Sequence, residues 1–360
     1  MKTSFYKCIS MLFILFVISI SCTSEDRDYI APLPEGDYSQ GVFILNEGGY
    51  GYSNASVSFL DVDGQDYSSI FSGVNQMTLG DVAQSIGLYG DNAYIVVNNS
   101  ATIEIVNRYT FEYITTVSSD IMNPRYIAFE GNKGYITNWG DPNNVADDYV
   151  AVLNLETHLV EDKIPVVEGP EKLLIYDGTL YVAHKGGYGW GHTISVIDLL
   201  TKNVTSSIPV GDVPDDMLID DGKLYVISSG KGDYTLDETP GMLHKINISD
   251  NSIEKTLTFP EKRHPRFLDI NNEMLYYTID NEVYTISTDD FVLSETPLFS
   301  PEDDGLDLLY GFKIHNDIIY LADAKDYVSK GAVFMYNLRG LLQNTFLVQI
   351  IPNSFYFNNI

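Results

Sequence analysis

The stretch PEKLLIYDGTLYVAHK, residues 170–185, decides the fold of this chain because its pattern recurs along the sequence. A proline opens a short apolar strand, a Tyr-Asp-Gly turn follows, and a second strand carries an aromatic residue within Leu180-Tyr181-Val182. Proline can open a strand without removing a hydrogen bond from the ladder. The stretch therefore predicts a β-hairpin, whose two strands we name A and B.

Strand B recurs seven times along the chain. Its aromatic residues lie 41 to 51 residues apart, at Phe43, Tyr94, Tyr135, Tyr181, Tyr225, Tyr276 and Tyr320. Each copy is followed by a third strand, C, such as Thr193–Asp198, in which polar and apolar residues alternate before a turn residue. A fourth strand, D, follows at 202–210. A repeat of ~40–50 residues is typical of one four-stranded propeller blade.

The two ends of the repeat region complement each other. The first copy has no strand A before Phe43, whereas the chain ends on an additional strand of this type at 352–357. Pairing the last strand with the first copy closes a ring and leaves no open sheet edge. We therefore predict an all-β fold over residues 41–360, a seven-bladed β-propeller closed by the C-terminal strand joining blade one. Two β-sandwiches would explain neither the shared repeat nor the displaced strand.

The N-terminus resembles a lipoprotein export signal. Lys2 and Lys7 precede an apolar run at 9–20, too short to span a bilayer, and the run ends at Ser21-Cys22. We predict a lipoprotein signal peptide at 1–21, and a lipidated Cys22 followed by a flexible tether at 22–40. Ordinary secretory cleavage is the alternative. The acidic residues after Cys22 resemble a signal for the outer face of the outer membrane, although they would also suit a merely solvated tether.

Composition and missing motifs exclude several functions. The formal charge of −29 excludes nucleic acid as a partner, because phosphates are bound through a basic surface. Beyond Cys22 the chain has no cysteine, which excludes disulfides and cysteine-bound metals there. No nucleophile elbow, metalloprotease helix or P-loop occurs. His184 and His192 share a loop but lack a third metal ligand. We therefore predict no catalytic residues, no metal site and no enzymatic activity.

The B–C loops and D–A connections of a propeller lie on one face, which we call the loop face. The B–C loops at 46–54, 138–144 and 184–192 are rich in glycine and aromatic residues, which suit stacking on an amphipathic ligand. Residues that open strand A point toward the channel mouth. The predicted ligand contacts are Tyr50, Tyr52, Asn98, Arg125, Asn138, Trp139, His184, Tyr188, Trp190, Arg266 and Tyr310. The alternative is that the aromatic residues stiffen their own loops and the charges pair with each other.

Two resemblances add a function to this fold. The segments LYV at 180–182, ISVID at 194–198 and IPVGDVP at 208–214 resemble the repeat of the YVTN, or YncE-like, propellers. The segments GVFILNEG at 41–48 and LGDVAQSI at 79–86, with PRYI at 124–127, resemble propeller lipoproteins on the surface of gut anaerobes, of which the BtuG-type proteins are the best-understood members. That resemblance implies capture of cobalamin or related corrinoids on the loop face, and delivery to a TonB-dependent outer-membrane transporter of the BtuB type.

The resemblance also implies a cell-surface location on the outer membrane, with the corrinoid carried as a ligand and no cofactor used. The chain lacks the Asp-x-His-x-x-Gly motif of cobalamin-dependent enzymes, which agrees with a carried ligand. Two alternatives remain open. One is a lipoprotein that binds another nutrient, such as a siderophore, haem or a glycan. The other is a propeller enzyme.

Overall fold

Seven antiparallel sheets form a ring in the computed structural model, which describes residues 35–359. The predicted seven-bladed β-propeller is therefore confirmed. The predicted signal peptide at 1–21, Cys22 and the tether up to residue 34 lie outside the described residues.

Blades one to four each contain four strands in the order A, B, C, D. Blade one consists of β27 (Pro352–Asn358), β1 (Gly41–Asn46), β2 (Ser56–Asp61) and β3 (Asp66–Tyr67). Blade two consists of β4 (Ala83–Tyr89), β5 (Asn92–Val97), β6 (Thr102–Asn107) and β7 (Tyr113–Val117). Blade three consists of β8 (Pro124–Glu130), β9 (Lys133–Asn138), β10 (Tyr149–Asn154) and β11 (Leu159–Pro165). Blade four consists of β12 (Pro170–Tyr176), β13 (Thr179–His184), β14 (Thr193–Asp198) and β15 (Asn203–Pro209).

The remaining blades follow the same order, with one exception in blade six. Blade five consists of β16 (Pro214–Asp220), β17 (Lys223–Ser228), β18 (Met242–Asn247) and β19 (Ser252–Thr258). Blade six consists of β20 (Pro265–Asn271), β21 (Met274–Ile279) and β22 (Glu282–Ser287). Blade seven consists of β23 (Leu309–His315), β24 (Ile318–Asp323), β25 (Lys330–Asn337) and β26 (Leu342–Ile350). Helix α1 (Ile70–Asn75) follows blade one, and a 3-10 helix (Pro301–Asp304) precedes blade seven.

Blade six departs from the predicted four-stranded repeat, since its sheet has three strands. The segment that should form strand D touches β22 at a single bridge between Val283 and Phe299. Pro297 lies two residues before that bridge and has no amide hydrogen to donate to a ladder. The outer edge of this blade is therefore covered by an irregular segment instead of a strand.

The ring closes through β27, as the displaced strand predicted. β27 pairs antiparallel with β1, with Gly41 opposite Asn358 and Phe43 opposite Tyr356. The side chain of Asn358 then joins three parts of the chain, because its amide donates to the carbonyl oxygens of Tyr38 and Arg108 and its oxygen accepts from Arg108 Nε at 2.6 Å. The two ends of the described chain are thus fastened together beside blade two.

The core is divided into seven clusters, most of them shared between neighbouring sheets. One cluster places Val42 and Ile44 of blade one against Tyr320 of blade seven and Phe355 of the closing strand. Each cluster is small, so the stability of the ring depends on every blade packing on the next.

The first residues of strand A leave the ladder before they reach the channel mouth. In blade four the register shifts between Pro170 and Leu173, and blades two to seven all have a comparable shift. Such a bulge redirects side chains that a regular strand would pair with its neighbour. This geometry places Glu171 and its counterparts at the mouth.

Among the described residues, no helix has the length and apolar character needed to cross a membrane.

We expect Phe355→Ala to destabilise the ring by about 3–5 kcal/mol, because it empties a fully packed position in the cluster that joins the last blade to the first. Urea unfolding measures the effect. Leu200→Ala, at a fully exposed turn position, is the control and should change stability by less than about 0.5 kcal/mol. Equal effects of the two variants would contradict the role of β27 in closure.

Candidate functional site

The loop face presents exposed aromatic side chains from opposite sides of the ring. Tyr50 and Tyr52 of blade one are 77% and 78% exposed, and Tyr188 and Trp190 of blade four are 56% and 44% exposed. Side chains of this size are usually at least half-buried, so four of them on one face mark a surface that gains free energy when covered.

The blade-one loop is held by a buried carboxylate. Asp81, from the connection to blade two, accepts the Gly51 N–H with both oxygens at 3.1 and 2.9 Å, and it accepts Asn99 Nδ2 at 2.6 Å. Within the loop, Asn54 accepts the Gly49 N–H at 2.8 Å. These bonds fix the backbone on both sides of Tyr50 while its ring stays in solvent.

The blade-four loop is held by close backbone packing. Gly169, at φ +67°, lies so near Gly186 and Gly187 that a Cβ at this position would be 2.0 Å from the Gly187 nitrogen. Asp148 accepts the Gly169 N–H at 2.6 Å, and the Gly169 carbonyl accepts the amide of Lys185. Glycine is required at 169, and the loop carrying Tyr188 and Trp190 is rigid as a result.

Trp139 connects the aromatic surface to the channel mouth. Its indole N–H donates to the Pro170 carbonyl at 3.0 Å, and its ring meets the edge of Tyr188 at a centroid distance of 5.7 Å. The guanidinium of Arg125 lies 4.0 Å from the same ring, a cation–π contact. Trp190 in turn contacts Tyr234 of blade five at 6.0 Å.

The charges at the mouth are paired. Arg125 forms two parallel hydrogen bonds with Glu171, at 2.9 and 2.8 Å, and both side chains are mostly buried. Asp215 accepts from Lys185 at 2.7 Å and lies 3.9 Å from Arg266. The alternative prediction, that charged residues at the mouth pair with each other, therefore describes Arg125. The side chain of Arg266, in contrast, is 43% exposed.

Tyr310 and Glu47 complete the mouth on the far side. Burial raises the pKa of the Tyr310 phenol, and the nearby Glu47 raises it further. Burial likewise raises the pKa of Glu47, which is also hydrogen-bonded to Tyr310 and to Asn353. Tyr310 meets the ring of Tyr327 edge-on at 5.5 Å. The mouth is consequently polar but carries little unpaired charge.

Two of the predicted contacts are buried, and a third is half-buried and bonded to the backbone. Asn138 is fully buried, accepting the Met122 amide and donating to the Ile136 carbonyl. His184 is also buried, with Nε2 2.8 Å from Ser195 Oγ, and burial lowers its pKa to about 4. Asn98 donates to the Pro124 carbonyl at 3.2 Å. These side chains support the loops, so the exposed surface consists of fewer residues than the sequence suggested.

Sequence reasoning missed two further loops on the same face. Tyr234 and Leu236 of blade five and Tyr327 and Val328 of blade seven are exposed there. The signal was present at 230–234, where GKGDY repeats the glycine-aromatic pattern of the blade-four loop. In residues 35–359 no three His, Cys, Asp or Glu side chains converge as a metal site would require.

The chain is thus a β-propeller whose loop face is rigid and partly aromatic. The family described as "Domain of unknown function (DUF5074)" matches residues 40–301, and the chain belongs to this family. No curated protein matches the chain in sequence.

Solved structures share the fold at low sequence identity. A quinonprotein alcohol dehydrogenase-like protein from Bacteroides thetaiotaomicron aligns with a TM-score of 0.66 and 14% identity, over 89% of this chain and 79% of its own. Hydrazine synthase from Kuenenia stuttgartiensis aligns with a TM-score of 0.59 and 16% identity, over 74% of this chain and 86% of its own. BamB from Moraxella catarrhalis aligns with a TM-score of 0.54 and 14% identity, over 91% of this chain and 88% of its own. Some of these propellers are enzymes, and at such identities the likeness concerns the fold alone.

The buried Asp148 makes stability depend on pH. Burial raises its pKa from 3.8 to about 6, and the acids Asp147 and Glu168 add to the shift. The folded state thus holds this proton more tightly than the unfolded chain, so the contribution of Asp148 to stability falls as pH rises from about 4 to about 6. We expect Asp148→Asn to gain about 1–3 kcal/mol relative to wild type across this window. Urea unfolding at each pH measures it, with Asp63→Asn, at an exposed position far along the chain, as the control that should show little change.

Breaking the Arg125–Glu171 pair tests whether it is structural. We expect Arg125→Gln to cost about 3–5 kcal/mol, because it leaves the buried Glu171 carboxylate without its cation. The double variant Arg125→Gln/Glu171→Gln should recover much of the loss. Thermal and urea unfolding of both proteins give the comparison, and a loss below about 1 kcal/mol in the single variant would show that the pair does not stabilise the mouth.

Proposed function

We propose that this protein captures cobalamin or a related corrinoid on the loop face and delivers it to a TonB-dependent outer-membrane transporter of the BtuB type. The observation that carries the proposal is the set of exposed aromatic rings held on rigid loops around a polar, charge-paired mouth. In this proposal the protein is a surface lipoprotein anchored through Cys22, it works without catalysis, and it belongs with the BtuG-type members of the YncE-like propellers.

The aromatic rings supply the affinity. Tyr50 and Tyr52 approach from blade one and Tyr188 and Trp190 from blade four, so a broad ligand over the mouth would cover rings on two sides. Burying aromatic surface contributes roughly 25 cal/mol per Å². Because Asp81 and Gly169 already hold the loops, little conformational entropy is lost on binding, and preorganisation raises affinity.

The charge distribution favours a neutral ligand with a hydrogen-bonding rim. The chain carries a formal charge of −29, which opposes binding of haem propionates or an anionic siderophore. The amide fringe of a corrinoid is uncharged and accepts hydrogen bonds from groups such as the exposed guanidinium of Arg266. These two features support a corrinoid over the anionic nutrients in this proposal.

The described chain begins on the face opposite the aromatic loops. Tyr38 donates its amide to the Tyr109 carbonyl in the C–D turn of blade two, and Gly41 pairs with Asn358 at the far end of strand A. In this proposal the described chain therefore enters the propeller on one face, and the capture surface lies on the other.

Calorimetric titration of the purified protein with cyanocobalamin tests the proposal. We expect one site with a dissociation constant below about 1 μM, equivalent to about −8 kcal/mol, and a red complex on gel filtration. Tyr188→Ala and Trp190→Ala should each weaken binding about tenfold or more, since aromatic anchors dominate such surfaces.

Tyr176→Ala is the matched control, because Tyr176 is similarly exposed but lies in an A–B turn on the opposite face. It should leave the affinity unchanged. Absence of binding heat and of co-migrating colour would reject corrinoid capture. Titrations with siderophores and with oligosaccharides would then distinguish the remaining nutrient-binding functions.

A further inference from the structure

Arg266 keeps the hydrogen-bonding groups of its side chain free, although it lies among charged residues at the channel mouth. Its nearest carboxylate oxygen, on Asp215, is 3.9 Å from Nε, beyond hydrogen-bond distance. That oxygen accepts from Lys185 at 2.7 Å, and the other oxygen of Asp215 accepts the Phe267 amide at 3.1 Å. Within residues 35–359 the guanidinium of Arg266 therefore donates no hydrogen bond, and its five N–H groups are available.

The difference between Arg266 and Arg125 comes from the blade that follows each of them. Both arginines directly follow the proline that opens strand A of their blade. Strand A of blade four presents Glu171, whose carboxylate accepts two parallel hydrogen bonds from Arg125. Strand A of blade seven presents Tyr310 at the corresponding position, which offers Arg266 an aromatic ring instead of a carboxylate. The guanidinium of blade six is thus left open where that of blade three is closed.

Two aromatic rings hold Arg266 in place without using its N–H groups. The guanidinium carbon lies 4.8 Å from the centre of the Phe267 ring and 6.0 Å from the centre of the Tyr310 ring, distances typical of cation–π contacts. Contacts with ring faces leave the N–H donors of an arginine available to an acceptor. The side chain is also well exposed, so a ligand on the loop face can reach it.

Arg266 lies between the two aromatic loops of the loop face. On one side, Asp215 connects it to Lys185, which belongs to the blade-four loop. On the other side, Tyr310 connects it to Glu47, which belongs to the blade-one loop. A broad ligand that lies on the exposed rings of both loops would therefore have part of its rim beside this guanidinium.

The local charge beside Arg266 favours an anionic group, in contrast to the net charge of the chain. One carboxylate, on Asp215, faces two cations, Lys185 at 2.7 Å and Arg266 at 3.9 Å, while Glu47 lies near Arg125. Charges more than ~8 Å away are largely screened at physiological ionic strength, so the remaining acids of the chain act weakly here. A free guanidinium binds a phosphate through two parallel, charge-assisted hydrogen bonds. The mouth therefore suits a ligand that is neutral as a whole and carries one phosphate on its rim.

We propose that Arg266 binds the phosphodiester in the nucleotide loop of a complete corrinoid, and that this contact makes the protein prefer complete corrinoids to cobinamide. The inference rests on the corrinoid capture proposed above and concerns how the same surface selects its ligand. Cobalamin carries the anionic phosphodiester on one side chain of the corrin ring. Cobinamide lacks the phosphodiester and the rest of the nucleotide loop, but it keeps the corrin ring and its amide fringe.

The two ligands separate the possible contacts of Arg266. A hydrogen bond from Arg266 to the amide fringe would form with both of them, whereas a bond to the phosphodiester forms with cobalamin alone. Cyanocobalamin and dicyanocobinamide are both uncharged overall, so long-range attraction to the protein does not distinguish them.

Calorimetric titration of the purified protein with cyanocobalamin and with dicyanocobinamide, at ~0.15 M salt, tests this inference. We expect the wild-type protein to bind cyanocobalamin at least about tenfold more tightly than dicyanocobinamide, as a hydrogen bond between two charged groups would provide. Arg266→Gln removes the charge and keeps an amide donor. It should weaken cyanocobalamin binding about tenfold or more and change dicyanocobinamide affinity less than about twofold. Arg266→Lys keeps the charge and should retain part of the preference.

The variants of Arg266 should remain folded. When the guanidinium is removed, Asp215 keeps its hydrogen bonds from Lys185 and from the Phe267 amide, so no buried carboxylate loses its last partner. Thermal unfolding of each variant checks that the unfolding temperature stays close to that of the wild type.

Arg339→Gln serves as the control. It removes the same charge from the exposed C–D turn of blade seven, on the face opposite the aromatic loops, which we call the turn face because the A–B and C–D turns form it. It should leave both affinities within about twofold of wild type. An equal loss of cyanocobalamin affinity in Arg339→Gln and Arg266→Gln would overturn the inference, because it would show an effect of overall charge.

Equal weakening of both ligands by Arg266→Gln, or no weakening of either, would also overturn the role of Arg266 while corrinoid capture stands. Absence of binding of both ligands to the wild-type protein would instead reject corrinoid capture, and this inference with it. The two failures are therefore distinguishable in the same set of titrations.

Discussion

The pairing of the last strand with the first repeat, which lacks a strand A of its own, is the interaction on which the rest of this structure depends. Seven sheets placed radially share their cores with their neighbours, so an open ring would expose one side of two blades. β27 removes that opening by pairing with β1, and Asn358 joins it to both Tyr38 and Arg108. Closure also sets the angle between blades, and that angle decides which loops and turns approach each other on the two faces.

Rigidity of the loop face follows from the same arrangement. The D–A connections pass between blades and carry the acids or glycines that hold the B–C loops, with Asp81 on Gly51 and Gly169 on the loop of Tyr188. Arg125 is held by Glu171 of the next blade and by the ring of Trp139. Polar groups at the mouth are largely satisfied, while the aromatic rings around them remain exposed. Such a surface is suited to covering a broad ligand without rearranging.

The two faces of the propeller differ in chemistry although the same repeat builds both. On the loop face, long B–C loops bring aromatic residues forward and ion pairs neutralise the charge. On the turn face, short turns keep the surface close to the strands, and acids of blades five and six line a concave region together with Lys223 and Lys245.

Much of the fold could be read from the sequence because it depends on short-range order. The seven aromatic strands, the proline-led strands before them and the displaced C-terminal strand are local patterns, and period-two alternation determines which residues point into each sheet interface. The glycine-aromatic loops were equally visible.

Which loop residues stay in solvent was decided by contacts between segments far apart in sequence. Arg125 meets Glu171 46 residues later, and Asp81 meets Gly51 30 residues earlier. Asn138 and His184 look like ligand contacts in the sequence, but both are buried in the folded protein. Burial and charge pairing of these residues depend on the angle between neighbouring blades in the closed ring. That angle cannot be read from the order of residues along the chain.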